Sequence, residues 1–221
     1  MSVNLEKCET TAVDSAVDSA VALSIPSGVL RHMFAASAVF AGKDNAIPFL
    51  MGINLEWGPG VFRVVSTDRY RMAVGELQGE HVTGSDVAPG SLLVPAKGCA
   101  DIAKALPKGR GQDDLPVSVL VSSDSVTVTV PGEWSRTITA MDARFPEWQA
   151  LVAPPKGDPH PTFRVNPHYM ADFAKAITGK FQSIEWTIGE HMQRLYGETT
   201  SPVGRTEVSW KLALMPCRQP A

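Results

Sequence analysis

The chain has 221 residues, 44% of them hydrophobic, and carries 20 lysines and arginines against 23 aspartates and glutamates, a net charge of −3. That length fits one large domain or two small ones, and no apolar run approaches the ~20 residues of a membrane span. The acidic balance excludes a surface that grips polyanions everywhere; a nucleic acid would have to meet segregated basic residues, or be held without being gripped.

Taken in chain order, residues 1–21 form an N-terminal extension that includes the tandem A-V-D-S-A-V-D-S-A, small and acidic. It has no basic start followed by an apolar core, so no secretory signal is expected. Leu23-Ser24-Ile25-Pro26 predicts a short strand running into a helix over 29–40. Ser27 is placed to cap it, with Val29, Leu30, Met33 and Phe34 at helical spacing and Arg31 and His32 off that stripe. Strands are predicted at 47–56, 61–66 and 71–76. Between the last two, Val64-Val65 lead into a polar turn with Asp68 as the turn residue and two arginines around a tyrosine.

A polar, glycine-containing connection over 81–90 leads to a strand at 92–94 and a helix over 96–106. Cys99, Ile102, Ala103 and Leu106 form its apolar stripe, Lys97, Asp101 and Lys104 face elsewhere, and Lys108 and Arg110 follow in the loop. A hairpin over 117–121 and 125–130 and a strand over 136–140 come next. The stretch 154–160 reads as a proline-stiffened linker. Thr162 to Val165 predicts a strand, after which Asn166 caps a third helix with Pro167 at its first position. Tyr169, Met170, Phe173 and Ile177 are its buried stripe, with Lys175 and Lys180 outside it. Three more strands are predicted near 182–188, 191–196 and 207–214. The three cysteines, Cys8, Cys99 and Cys217, have no metal-ligand spacing and fit reduced cytoplasmic thiols.

A strand, a helix and about three strands thus occur three times, from near Leu23, Leu92 and Thr162. Each unit should lay one layer of helix on one layer of sheet, giving an α+β fold. Residues 67–73, T-D-R-Y-R-M-A, resemble the A-T-D-G-H-R-L-A signature of the bacterial DNA polymerase III beta sliding clamp. Four further stretches are similar to that family in the same order: I-P-F-L-M-G-I-N-L-E at 47–56, L-L-V-P-A-K at 92–97, D-A-R-F-P-E-W at 142–148 and L-M-P-C-R at 214–218.

The resemblance implies the DNA-clamp fold: repeated β-α-β-β-β half-domains, helices lining a ring interior and sheets outside. Two units make one clamp domain in that family. Residues 22–153 would then be a complete domain, with half-units at about 22–90 and 91–153. Residues 161–221 would be a single half-domain with a C-terminal tail. The portion resembling the family's first domain is missing, as is the first half of its last.

By the same resemblance, a pocket for short peptide motifs of polymerases and clamp loaders falls on Thr67, Arg69, Tyr70, Arg71 and Met72, on Pro146, Ala150 and Leu151, and on Ala213, Leu214, Met215, Pro216 and Cys217. Arg69 stands where the signature has glycine, Tyr70 where it has histidine and Cys217 where the tail has a second methionine, so an altered motif preference is expected. The DNA-facing candidates are Arg31, His32, Lys97, Lys104, Lys108, Arg110, Lys175 and Lys180. Such side chains give weak, sequence-blind attraction to phosphates. A homo-oligomeric ring around duplex DNA is expected, a tetramer if twelve half-units close it and a trimer second. The alternative is a non-ring relative that competes for a host clamp, loader or polymerase. The shortened architecture suggests a phage or mobile-element gene in a bacterial cytoplasm. No catalytic residue, metal or cofactor is expected: acid–base candidates such as Asp113-Asp114 or Asp142 with Glu147 have no diagnostic spacing, and no P-loop or nucleophile elbow occurs.

Overall fold

The computed structural model describes residues 21–44, 46–79, 88–109, 111–153, 165–177, 182–188 and 194–215. The extension at 1–20, the linker at 154–160, most of the strand expected at 162–165, and Cys8, Arg110, Lys180, Pro216 and Cys217 lie outside the described residues.

The first unit is β1 (Val21–Pro26), α1 (Ser27–Phe40), β2 (Gly52–Gly58), β3 (Val61–Thr67) and β4 (Arg71–Gln78). The second is β5 (Gly90–Pro95), α2 (Ala96–Ala105), β6 (Pro116–Val121), β7 (Ser125–Val130) and β8 (Trp134–Thr139). The third has α3 (Pro167–Phe173), β9 (Glu185–Ile188), β10 (Leu195–Val203) and β11 (Thr206–Leu214). Three boundaries differ from expectation. Residues Pro48–Met51 are a 3-10 turn, because Pro48 cannot donate to a ladder. The middle strand of the third unit runs from Leu195 to Val203, held by a tight turn at Gly204, where φ is 62°. Helix α3 tightens into a 3-10 turn at Ala174–Ala176.

The units are not self-contained layers. Their first strands are exchanged: β1 pairs with β6 of the second unit, and β5 pairs with β2 of the first, both antiparallel. The register is the same at both joints. The residue just before each helix stands opposite the first residue of the partner strand, Pro26 against Pro116 and Pro95 against Gly52. The result is a four-stranded sheet, β1-β6-β7-β8, and a larger one, β5-β2-β3-β4-β11-β10-β9. The third unit joins by pairing β11 with β4, with Ala213 opposite Met72 and Leu214 opposite Arg71.

The exchange also caps α1. Ser27 is not the expected side-chain cap; it lies inside the first turn, where its N–H donates to the Leu115 carbonyl at 2.8 Å and that of Gly28 donates to Asp113 at 2.9 Å. Those donors have no partner within a helix, so the other unit's loop satisfies them. Only glycine fits at 28, since a Cβ there would stand 2.7 Å from that of Asp113.

Helices α1 and α2 pack on each other, α1 across β3 and β4 and α2 against β2, β5 and β8. One continuous core joins them to the inward valines of β6 and β7, where burial alternates strictly. Cys99 is fully buried there, and burial pushes its thiol pKa upward. Strands β3 and β4 are buried on both faces. Their outer side, with Val65, Met72 and Val74, is covered by Phe145, Trp148 and Val152 of the segment after β8. Trp148 anchors that segment by donating its indole N–H to Glu56 at 2.7 Å.

Candidate functional site

The turn between β3 and β4 is built by its own side chains. Asp68 Oδ1 accepts from the N–H groups of Tyr70 and Arg71, both at 3.1 Å. Thr67 Oγ1 accepts from the Arg69 N–H at 3.2 Å and donates to the Arg71 carbonyl at 2.9 Å. This is the local bonding that favours Asp and Thr in turns. Arg69 carries φ of 80°, the left-handed region, as the only non-glycine to do so among the described residues. The tail is tied to this turn through the Met215 N–H, which donates to the Tyr70 carbonyl at 3.0 Å.

The expected pocket residues divide by the parity of the two paired strands. Met72 and Ala213 face outward with the 145–152 segment, whereas Leu214 is fully buried in the main core on the helix side. Arg71 also turns to the helix side. Leu214 and Arg71 are therefore corrections to a pocket read as one surface: an outer cleft can use Met72 and Ala213 as its floor but not these two. Tyr70, Leu151 and Met215 are, with Leu120, the four large hydrophobics left exposed among the described residues. Three of the four are expected pocket positions, with exposed Arg69, Pro146 and Ala150 beside them in sequence.

Arg71 holds the third unit to the first. It is ion-paired with Asp68 at 2.9 Å and with Asp172 of α3, and it donates to the Val39 carbonyl at 2.9 Å. Its guanidinium lies 5.2 Å from the Phe40 ring centre and 5.3 Å from that of Tyr169. Burial works to raise the Asp172 pKa, but bonds from Lys175 and Arg71 outweigh it and hold the carboxyl low. Tyr169 stacks on Tyr70 at 6.0 Å and lines, with Arg69, Ile47 and Leu50, a groove of about 520 Å³ beside the turn. Sequence reasoning missed Tyr169 here, because it assigned that residue to the buried stripe of α3.

The basic candidates gather only in part. Arg31, His32, Lys104 and Lys108 line one groove of about 700 Å³ on the helix face, floored by Ala35, Ala38 and Ala100. Lys97 lies in an adjoining cleft with Lys43, an exposed lysine that off-stripe reasoning passed over because it follows the helix. Lys175 is apart, bound to Asp172 at 2.6 Å. Two of these candidates also have partners within the fold. His32 sets its ring edge-on to Trp210 at 5.5 Å, with Nε2 3.3 Å from the Ala176 carbonyl. Desolvation lowers its pKa, and Arg31 adds to the effect against the Ala176 bond, which favours the neutral ring. Arg31 bonds the Pro107 carbonyl and Asp113, which makes it a clamp on the 107–113 loop. Lys97 and Lys104 share Asp101, at 2.8 and 3.2 Å.

Residues 24–147, more than half of the chain, match the model of the DNA polymerase III beta subunit, central domain. The chain belongs to the DNA polymerase III beta subunit family. Among relatives of this beta-like chain, the beta sliding clamp homolog GriR of Streptomyces muensis is 31% identical over 114 residues, 52% of this chain and 29% of the relative. The beta sliding clamp of Escherichia coli K12 is 26% identical over 142 residues, 64% of this chain and 36% of the relative. The matches thus span about a third of those relatives' lengths. A Pseudomonas aeruginosa DnaN sliding clamp, solved bound to griselimycin, superposes with a TM-score of 0.70 at 17% identity, over 95% of this chain and 68% of that one. At that identity the likeness is one of fold, and it establishes the clamp fold. No described helix is long and apolar enough to cross a membrane.

Proposed function

We propose that this beta-like chain is a DNA sliding clamp, a polymerase processivity factor that closes around duplex DNA as a ring of identical copies. In this reading residues 22–153 are one complete clamp domain and residues 161–221 a half-domain. Four copies would supply the twelve half-units of a six-domain ring. The observation that carries the proposal is the convergence of the β3–β4 turn with the tail. Tyr70 and Met215, joined through a backbone hydrogen bond, are large apolar groups left in solvent. Exposed apolar groups two positions along the chain from the outward-facing Met72 and Ala213 suit a short linear motif with one or two apolar side chains. Such motifs would come from a polymerase and a clamp loader.

The helix face would look toward DNA, with Lys97, Lys104 and Lys108 nearest the phosphates. Lys97 and Lys104 each share Asp101. A phosphate would meet a partly neutralised surface, which weakens the grip that would brake sliding. Two measurements test the proposal. The chain should stay on nicked circular DNA and run off after linearisation; equal loss from both refutes encirclement. A fluorescent clamp-binding peptide from a bacterial replicative polymerase should bind, and Met215→Glu should weaken binding at least tenfold while leaving the fold intact. Unchanged affinity would move the peptide site elsewhere.

A further inference from the structure

Among the described residues, the exchange of first strands leaves one place unfilled. In both complete units the strand after the helix, β2 or β6, is paired on its far side by the first strand of the other unit. β9 holds the same position in the third unit. It pairs with β10 on one side and, among the described residues, is the last strand of the large sheet on the other. Burial fails at the same place. Ile53 and Leu55 on β2 and Val117 and Val119 on β6 are fully buried. On the third unit Ile184, Trp186, Val165 and Met170 pack against the core yet are only half-buried. An open strand edge beside uncovered apolar groups is a template for another chain. This chain's interior holds no fourth unit to cover it: the first unit runs from Val21 to Gln78, whereas only residues 153–164 separate Val152 from Val165.

We infer that the free edge of β9 and the apolar face beside it bind the third unit of a second copy, by reciprocal exchange about a two-fold axis. The occupant is a copy because the unit carries both halves of the joint, an open strand and a chain segment leading into a helix. A two-fold contact needs one surface to be its own complement. The register follows from the two joints already made. The residue before the helix stands opposite the first residue of the partner strand, which places Asn166 of one copy against Glu185 of the other, and Val165 against Trp186. Each joint would complete one clamp domain from two chains. This deepens the ring reading of the preceding section but is tested without DNA.

The full chain at micromolar concentration should have a light-scattering mass that is an even multiple of 23.7 kDa. Asn166→Cys and Glu185→Cys are then made separately, each with Cys8 and Cys217 changed to serine. Facing Cβ atoms across an antiparallel pair lie about 4.5–5.5 Å apart, within reach of a disulfide after small adjustment. Oxidation should give a covalent dimer when the two folded variants are mixed, at least tenfold more than from either alone. A monomeric mass for the unmodified chain overturns the inference. So does an oligomer whose mixed variants fail to cross-link, since the joint would then lie elsewhere, including a β9 edge filled by residues 1–20 of the same chain. A cross-linked dimer that slips off circular DNA would sink the ring and keep the joint.

Discussion

Replacing Arg71 by alanine should destabilise the fold by about 3 kcal/mol. The side chain is 10% exposed and faces two carboxylates, 17% and 24% exposed. Breaking a buried pair by removing one partner costs about 3–5 kcal/mol, mostly from the charge left behind. Here neither carboxylate is stranded. Asp68 keeps the N–H donors of the turn and Asp172 keeps Lys175, so the loss belongs at the low end of that range. The Val39 carbonyl loses its donor, and the Phe40 and Tyr169 rings lose a cation. Asp172→Asn should cost less, about 1 kcal/mol, because this carboxylate is itself 24% exposed and Arg71 keeps its pair with Asp68. A double-mutant cycle between the two should return a coupling of about 1 kcal/mol. Urea unfolding followed by tryptophan fluorescence measures all three, with Trp210 buried where the third unit meets α1. A loss under about 1 kcal/mol for Arg71→Ala, or a coupling near zero, would refute the view that this guanidinium fastens the third unit to the hairpin. The same pair predicts a pH response. The folded Asp172 carboxyl is held below its unfolded pKa of about 3.9, so its stabilisation is present above that value and is lost as pH falls through the folded pKa.

Arg69→Gly should raise stability by about 0.5–1 kcal/mol: it relieves a left-handed residue of about 1–2 kcal/mol of steric cost, less the entropy that glycine adds to the unfolded chain. An unchanged or lower urea midpoint would show the turn to be unstrained. His32 should make the fold acid-sensitive at mild pH. Its folded pKa lies below the unfolded value of about 6.5, so the unfolded chain takes up the proton first and stability falls as pH drops below that value. In His32→Phe, which keeps an aromatic edge toward Trp210, urea midpoints should vary less between pH 7.5 and 5.5 than in the parent, to a degree readable in paired titrations; parallel profiles would assign the sensitivity to other groups.

The hairpin turn was legible in the sequence because its chemistry is local. Asp68 and Thr67 bond residues two to four positions away, and their types alone announce a turn. The stripes of α1 and α2 were legible for the same reason, as Val29, Leu30, Met33 and Phe34 repeat at helical spacing and are all buried. The exchange of β1 and β5 was not, since nothing in Leu23 or Leu92 says which distant strand it will pair with. The partners of His32 and Arg31 were not legible, because an off-stripe position reports only that a residue avoids its own helix's core. It does not reveal that Trp210 or Asp113 arrives from elsewhere to meet it. Arg71 carried a resemblance to a ligand-binding residue, and its strand parity was written in the alternation of β4. The carboxylate it reaches, Asp172, lies far along the chain.

The pairing of Val21 with Val121 has a cost during synthesis. When β1 leaves the ribosome its partner lies 100 residues downstream (121 minus 21) and has yet to be made. At roughly 5–20 residues per second, the nascent β1 waits on the order of 5–20 s without a neighbour. A strand of V-A-L-S-I-P unpaired for that long is a target for chaperones and for other nascent chains on the same messenger. Yield in the cell should then depend on translation rate, with faster elongation shortening the interval in which β1 is exposed.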